Sequence, residues 1–163
     1  MPLKKIISGF QDGADIAGIF FAKEHGYETG GYMPFGFRTS KGPKRCYSVM
    51  YGAQEDNSPD YPPRTERNVK DSDGTVRFAF DFDTPGEKCT LKYIKQHGKP
   101  YHDVSLMSLD TNNVRAYLRD FNNFLLNNNI ETLNIAGNNR PHVYSYTLRF
   151  LRLWYDTYGK HNR

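Results

Sequence analysis

Along the chain, short apolar runs of strand type alternate with apolar positions spaced three and four apart, as in helices. Residues 4–8 read as a short strand, and 13–25 as a helix with Ala14, Ala17, Gly18, Phe21 and Ala22 on one face. Residues 60–71 read as helix, 75–82 as strand, and 87–97 as a helix stopped by Gly98 ahead of Pro100. A strand at 101–105 leads to a helix at 112–127, with Val114, Tyr117, Leu118, Phe121 and Leu125 as its buried stripe. Residues 132–136 form the last strand. The final helix opens at Pro141, a favoured first-turn residue, and carries Val143, Tyr146, Thr147, Phe150, Leu151 and Trp154 on its core side. Between 30 and 63 the chain is rich in Gly and Pro with little periodicity, which predicts one long loop. The alternation predicts an α/β fold, a parallel sheet with helices on both faces, as a single domain over 1–163. Such sheets bind ligands at the carboxyl ends of their strands, so the loops that follow the strands are the places to look.

Composition narrows the class. At 163 residues the chain fits one domain, and 11 Phe with 12 Tyr exclude a disordered polymer. No apolar run approaches the roughly 20 residues of a membrane span, and the first residues run straight into a strand pattern rather than a signal peptide. Cys46 and Cys89 are too few for a disulfide framework, which predicts a reducing cytoplasm. The net charge of +4 favours anionic ligands without reaching the excess of a dedicated nucleic-acid binder. The five His and two Cys lack ligand spacing, so no structural zinc is expected.

Four segments carry candidate chemistry. In Ser8-Gly9-Phe10-Gln11-Asp12-Gly13-Ala14-Asp15, Gly9 and Gly13 permit a tight turn and close approach of a ligand to the backbone. Asp12 or Asp15 caps the following helix. Carboxylates at a helix N-terminus repel phosphate, so Gly9, Gln11 and Asp15 suit a sugar or a base better. In Asp83-Thr84-Pro85-Gly86-Glu87-Lys88-Cys89-Thr90, the residues Thr84, Gly86, Lys88 and Thr90 compose an anion cradle at a helix start, against the plainer reading of a capped turn. Cys89 reads as a packing residue rather than a nucleophile, since no histidine base lies near it in sequence. In Ala136-Gly137-Asn138-Asn139-Arg140-Pro141, Asn amides suit a base edge and Arg140 a phosphate, although turn chemistry alone explains the asparagines. The helix from Arg64 to Asp71 sets Arg64 and Asn68 on one face. Neither a G-x-G-x-x-G fingerprint nor a Walker sequence is present. Basic residues interleave with aromatics over 149–160, a pattern that suits single-stranded nucleic acid, but those aromatics fall on the core stripe.

Taken in order, Ile7-Ser8-Gly9-Phe10-Gln11-Asp12-Gly13-Ala14-Asp15, Gly30-Gly31-Tyr32-Met33-Pro34, Arg64-Thr65-Glu66-Arg67-Asn68-Val69, Asp71-Ser72-Asp73-Gly74-Thr75 and Asn134-Ile135-Ala136-Gly137-Asn138 resemble the proteins named as molybdenum carriers. These are a circularly permuted Rossmann-like group within the superfamily of Lonely-Guy phosphoribohydrolases and DNA-processing protein A. The resemblance spans nearly the whole chain and implies a Rossmann-like three-layer sandwich that binds a nucleotide, a molybdenum-cofactor-like ligand or another anion, often as a homo-oligomer. It adds Gly31, Asp73, Gly74, Gly137 and Asn138 to the candidate ligand-binding residues, with Arg38 in the family's basic loop. Phe10 stands where the family usually has Gly and Asp12 where it usually has Thr, changes that shrink or acidify the first pocket.

The hydrolase relatives carry Pro-Gly-Gly-x-Gly-Thr-x-x-Glu. Here Pro85, Gly86 and Thr90 match, and Tyr93 occupies the place of the catalytic Glu. Tyrosine, with a pKa near 10, cannot supply a carboxylate's charge at neutral pH. The expected function is therefore binding of a phosphorylated ligand, with Arg38, Arg64 and Arg140 as anion clamps. A phosphoribohydrolase using a carboxylate from elsewhere (Glu66, Asp71 or Asp73) is the alternative. Nucleic acid is not the expected partner, and single-stranded DNA is the third reading.

Overall fold

A computed structural model describes residues 2–162. Its frame is a six-stranded sheet in the order β5-β2-β1-β8-β6-β7, parallel at every pairing. The strands are β1 (Lys5–Ile7), β2 (Glu28–Met33), β5 (Ala53–Glu55), β6 (Gly74–Ala79), β7 (Tyr101–Ser105) and β8 (Thr132–Gly137), with a separate hairpin of β3 (Arg38–Thr39) and β4 (Gly42–Pro43). The helices are α1 (Ala14–Glu24), α2 (Cys46–Tyr51), α3 (Tyr61–Lys70), α4 (Pro85–Gln96), α5 (Val114–Asn127) and α6 (Pro141–Thr157). The α/β class, the parallel sheet and the Rossmann-like layering follow the sequence reading.

Helix α1 packs on α6, and α6 on α5, while α3 packs on α4. The larger core joins the sheet to the first group: Phe21 of α1, Phe121 of α5, and Phe150 and Trp154 of α6 meet there around Phe78 and Leu133. The buried stripes of α5 and α6 match the helical spacing, except that Tyr146 is exposed, with its ring edge-on to Phe80. Phe150 and Trp154 are buried, so these two aromatics of 149–160 have no face to stack on bases.

The segment expected as one loop over 30–63 is largely structured. It contains the end of β2, the β3–β4 hairpin, α2, β5 and the start of α3. Tyr47 and Tyr51 cover a second, smaller core of Phe10, Ile16, Ile19, Met33 and Ala53. Gly31 is what makes β2 read as a loop. Its φ is 124°, and a Cβ there would stand 2.1 Å from the Ser8 carbonyl oxygen, so only glycine lets the strand pass the first loop.

Strand β6 is buried at all six positions and yet holds Arg77, 2% exposed. Two hydrogen bonds at 2.8 and 2.7 Å join its guanidinium to Asp103 on β7, and Nη1 donates to the Glu87 carbonyl at 3.0 Å. The ring of Phe82 lies under the same guanidinium. A charge buried on the strand next to the sheet edge thus fixes the first turn of α4.

Candidate functional site

From β1 the chain turns into α1 on one face of the sheet, and from β6 into α4 on the other, with β8 between them. This divergence opens a crevice at the carboxyl edge, where parallel sheets hold ligands. A cavity of about 440 Å³ occupies it. Three helix N-termini border it: Asp15 of α1, Thr84 to Glu87 of α4, and Arg140 ahead of α6. Arg64 and Tyr61 of α3 and Ser40 of the hairpin complete the wall.

Two glycines bring the walls together. A Cβ at Gly9 would lie 1.9 Å from Arg64 Nη1, so glycine lets that guanidinium cross the first loop and reach Asp15 Oδ2 at 3.7 Å. Gly13 has φ 86°, and its Cβ would lie 2.1 Å from the Asn138 carbonyl. The same carbonyl accepts the Ala14 N–H, so the loops after β1 and β8 touch. Gly86 is the opposite case: a Cβ there would meet nothing within 4 Å, so packing does not require glycine. In the first turn of α4, Pro85 has no N–H, Glu87 N–H is bonded to Thr84 Oγ1, and Lys88 N–H to the Thr84 carbonyl. The Gly86 N–H is what this turn offers to a ligand.

Among the sequence candidates, Gln11, Asp15, Arg64, Thr84, Gly86, Thr90, Gly137, Asn138 and Arg140 line the cavity. Several do other work than expected. Asn138 Oδ1 accepts from the Phe80 and Asp81 N–H groups, and its Nδ2 donates to Asp81 O and Glu87 Oε2. That amide is committed to the fold and does not read a base edge. The Thr90 hydroxyl donates to the Gly86 carbonyl at 3.1 Å, so its proton is not turned to the cavity. Gln11 Nε2 donates to the carbonyls of Gly9 and Arg38, tying the hairpin to the first loop, and Ser40 Oγ donates to Asp12 on the same side.

Eight candidates lie off the cavity wall: Gly9 and Gly13, which bring the walls together, and six others. Lys88 and Arg38 are exposed and outside the lining. Gly31 packs under Ser8. Asn68 clamps Tyr32 by accepting its N–H at 2.8 Å and donating to its carbonyl at 3.1 Å. Asp73 and Gly74 sit at the opposite, amino edge of the sheet, where Asp73 accepts the N–H groups of Glu131 and Thr132 ahead of β8. Phe10 is 1% exposed and belongs to the second core, so it does not shrink the pocket; its φ of 59° is the left-handed conformation that glycine adopts freely. Asp12 does line the cavity and adds acidity there. Glu66 pairs with His97, and Tyr93 stands outside the lining, its ring beneath Lys92.

The residue that sequence reasoning missed is Glu87. It is 4% exposed, lines the cavity, and leaves Oε1 buried without a hydrogen-bond partner. Burial, then the charge of Asp15, push its carboxyl up to about 7, against the pull of Arg77 and the Asn138 amide; Asp103 adds a smaller push. Asp15, 6% exposed, is pushed up to about 6 by burial, while Arg64 and the N–H groups of Gln11 and Gly9 pull it down. Arg64 is held 5.2 Å from the Tyr61 ring, and its Nε is likewise buried and unpartnered. Cys89, expected as a packing residue, is half-buried and lines the cavity, and burial raises its thiol, which keeps it protonated. Among the described residues, no group of three or more His, Cys, Asp and Glu side chains could hold a metal ion.

No curated protein matches the chain. A crystal structure from Syntrophus aciditrophicus SB, of a protein named "putative molybdenum carrier protein", superposes with a TM-score of 0.85 at 32% identity, covering 93% of this chain and 94% of that one. The model of one family spans both edges of the crevice, from β1 to the end of the α6 core stripe, at residues 6–154. The chain belongs to that family, the circularly permutated YpsA SLOG family.

Proposed function

We propose that the cavity binds a nucleotide or nucleotide-like phosphorylated ligand, in a protein of the reducing cytoplasm. The observation that carries this reading is the convergence of three helix N-termini and Arg64 on one cavity at the carboxyl edge, with open space left at Gly86. The phosphate would take the Gly86 N–H and the guanidinium of Arg64, with Arg140 at the rim. Gln11 and Asp15 face the remaining volume and suit sugar hydroxyls. The donor set is one for an oxyanion: N–H and guanidinium groups, without a cluster of metal-ligating side chains. A molybdenum-containing cargo would fit it through its phosphate or oxyanion oxygens. Both cysteines are free thiols, as a reducing compartment allows.

Gly86→Asp tests the reading. The new side chain has room, so the fold should survive, but it sets a negative charge beside the phosphate. Loss of one charge-assisted hydrogen bond is worth about 1.5–3 kcal/mol, so affinity should fall roughly 10- to 150-fold. Calorimetric titration with the phosphorylated compound that co-purifies, identified by native mass spectrometry, measures this. Unchanged affinity in the folded variant would mean that the turn is only a helix cap.

A second reading, a nucleotide-processing hydrolase, draws support from the two buried carboxyls held near neutrality on the cavity wall. The candidates Glu66 and Asp73 point elsewhere, and Asp71 is outside the lining, so the carboxylates to test are Glu87 and Asp15. Incubation with purine and pyrimidine monophosphates is expected to release no free base. Release that survives Tyr93→Phe and disappears in Glu87→Gln would overturn the binding-only reading.

A further inference from the structure

We infer that Glu87 meets the ligand as a carboxylic acid, donating its proton to an acceptor oxygen of the bound anion, so that binding takes up a proton from solution. The inference rests on the reading of the cavity as an anion site.

Geometry leaves Glu87 one free oxygen. Oε2 accepts from Asn138 Nδ2 at 3.3 Å, whereas Oε1 is buried and has no partner. Asn138 has nothing more to give, since its Oδ1 takes the Phe80 and Asp81 N–H groups and its Nδ2 also serves the Asp81 carbonyl. Buried polar groups are normally paired, so this vacancy asks for a partner from the cavity.

The charges around Glu87 decide which form that partner meets. Asp15 faces it from α1 and Asp103 from β7, and both oppose its ionisation. Arg77 on β6 favours ionisation, but its guanidinium is bound to Asp103 and to the Glu87 main-chain carbonyl rather than to the Glu87 carboxylate. Arg64 on α3 is drawn to Asp15. Arg140 stands on the rim, exposed. A phosphate entering this space adds negative charge beside two acids, which drives a proton onto the one without a cationic partner of its own. Once protonated, Glu87 ceases to repel the anion and becomes a donor to it. The ligand class that fits is a phosphate monoester, accepting from the Gly86 N–H, Arg64 Nε and the acid form of Glu87.

Calorimetric titration with the four ribonucleoside 5′-monophosphates, in buffers of different ionisation heat, reads the proton count directly. In wild type the Glu87 contribution to proton uptake should rise with a midpoint near 7 and approach about one proton per ligand at pH 8. Uptake that persists in Glu87→Gln reports the phosphate and Asp15, so the difference between the two proteins isolates Glu87. Glutamine keeps a donor without needing a proton, so at pH 8 Glu87→Gln should bind about 10-fold more tightly than wild type. Glu87→Leu, neutral but without a donor, should bind weakly at both pH 6 and pH 8. Binding with no proton uptake in wild type, or equal uptake and equal affinity in wild type and Glu87→Gln, would sink this inference and leave the anion site standing. No heat from any of the four monophosphates would remove the anion-site reading, and this inference with it.

Discussion

Glu87→Gln is expected to stabilise the unliganded protein by about 3 kcal/mol at pH 8 and to change it little at pH 4. In the unfolded chain the carboxyl titrates near its ordinary 4.5, whereas in the folded protein it titrates at about 7. Folding therefore takes up a proton between those values. The folded state is favoured in full below 4.5 and loses that advantage as pH rises through 7. Glutamine keeps the shape and the hydrogen bond from Asn138, and has no charge to desolvate. The effect should be visible as a higher midpoint in urea at pH 8, with both proteins alike at pH 4. Equal stability at both pH values would mean that Glu87 is solvated and ionised in the folded protein. A carboxyl kept in an unfavourable place is what a functional wall looks like, since stability alone selects against it.

Arg77→Met should do the reverse and cost about 3–5 kcal/mol, the usual result of removing one partner of a buried ion pair. Asp103 would lose both of its hydrogen bonds, and the Glu87 carbonyl its donor. For a domain of this size that corresponds to a fall in Tm of roughly 6–20 °C. Asp103 is one-third exposed at its side chain, so water relieves part of its loss and the lower end of the range is expected. The first turn of α4 would loosen with it, so hydrogen exchange at Gly86 and Glu87 should speed up more than exchange in α5. A variant with wild-type Tm would show that the sheet tolerates an empty Arg77 site.

Helices α5 and α6 were legible because their stripes are set by one large core. α5 and α6 each present to it the residues that their spacing names, Tyr146 apart. The stretch over 30–63 was not legible, because its elements span only two to six residues and show no period of their own. Their order comes from distant partners: Tyr47 and Tyr51 settle on Phe10, and Asn68 of α3 stands in for a neighbouring strand at Tyr32. The post-strand loops do border the cavity, but their side chains make other hydrogen bonds than the expected ones. Thr84-Pro85-Gly86-Glu87 has the pattern of a capping box, in which the Glu side chain folds back to the cap and stays wet. Here Thr84 accepts the Glu87 N–H as such a box requires, but the Glu87 carboxyl turns to Asn138 instead. No spacing in the sequence announces that turn, because Asn138 is brought there by β8 from 51 residues away. Asp73 and Gly74 were misassigned for a related reason: a motif marks a strand without saying which of its ends faces the ligand.

Strand β8 also sets the order in which the protein can be made. Lys5 to Ile7 pair with Thr132 to Asn134, and Gly74 to Phe78 pair with Leu133 to Gly137. Until the ribosome has delivered residues 132–137, β1 and β6 have no neighbour between them, and the sheet exists only as two separate halves. Contacts so distant in sequence slow folding and leave strand edges open in the meantime. A nascent chain arrested before Thr132 should therefore be protease-sensitive and prone to aggregate, and the crevice between those halves cannot form before β8 is in place.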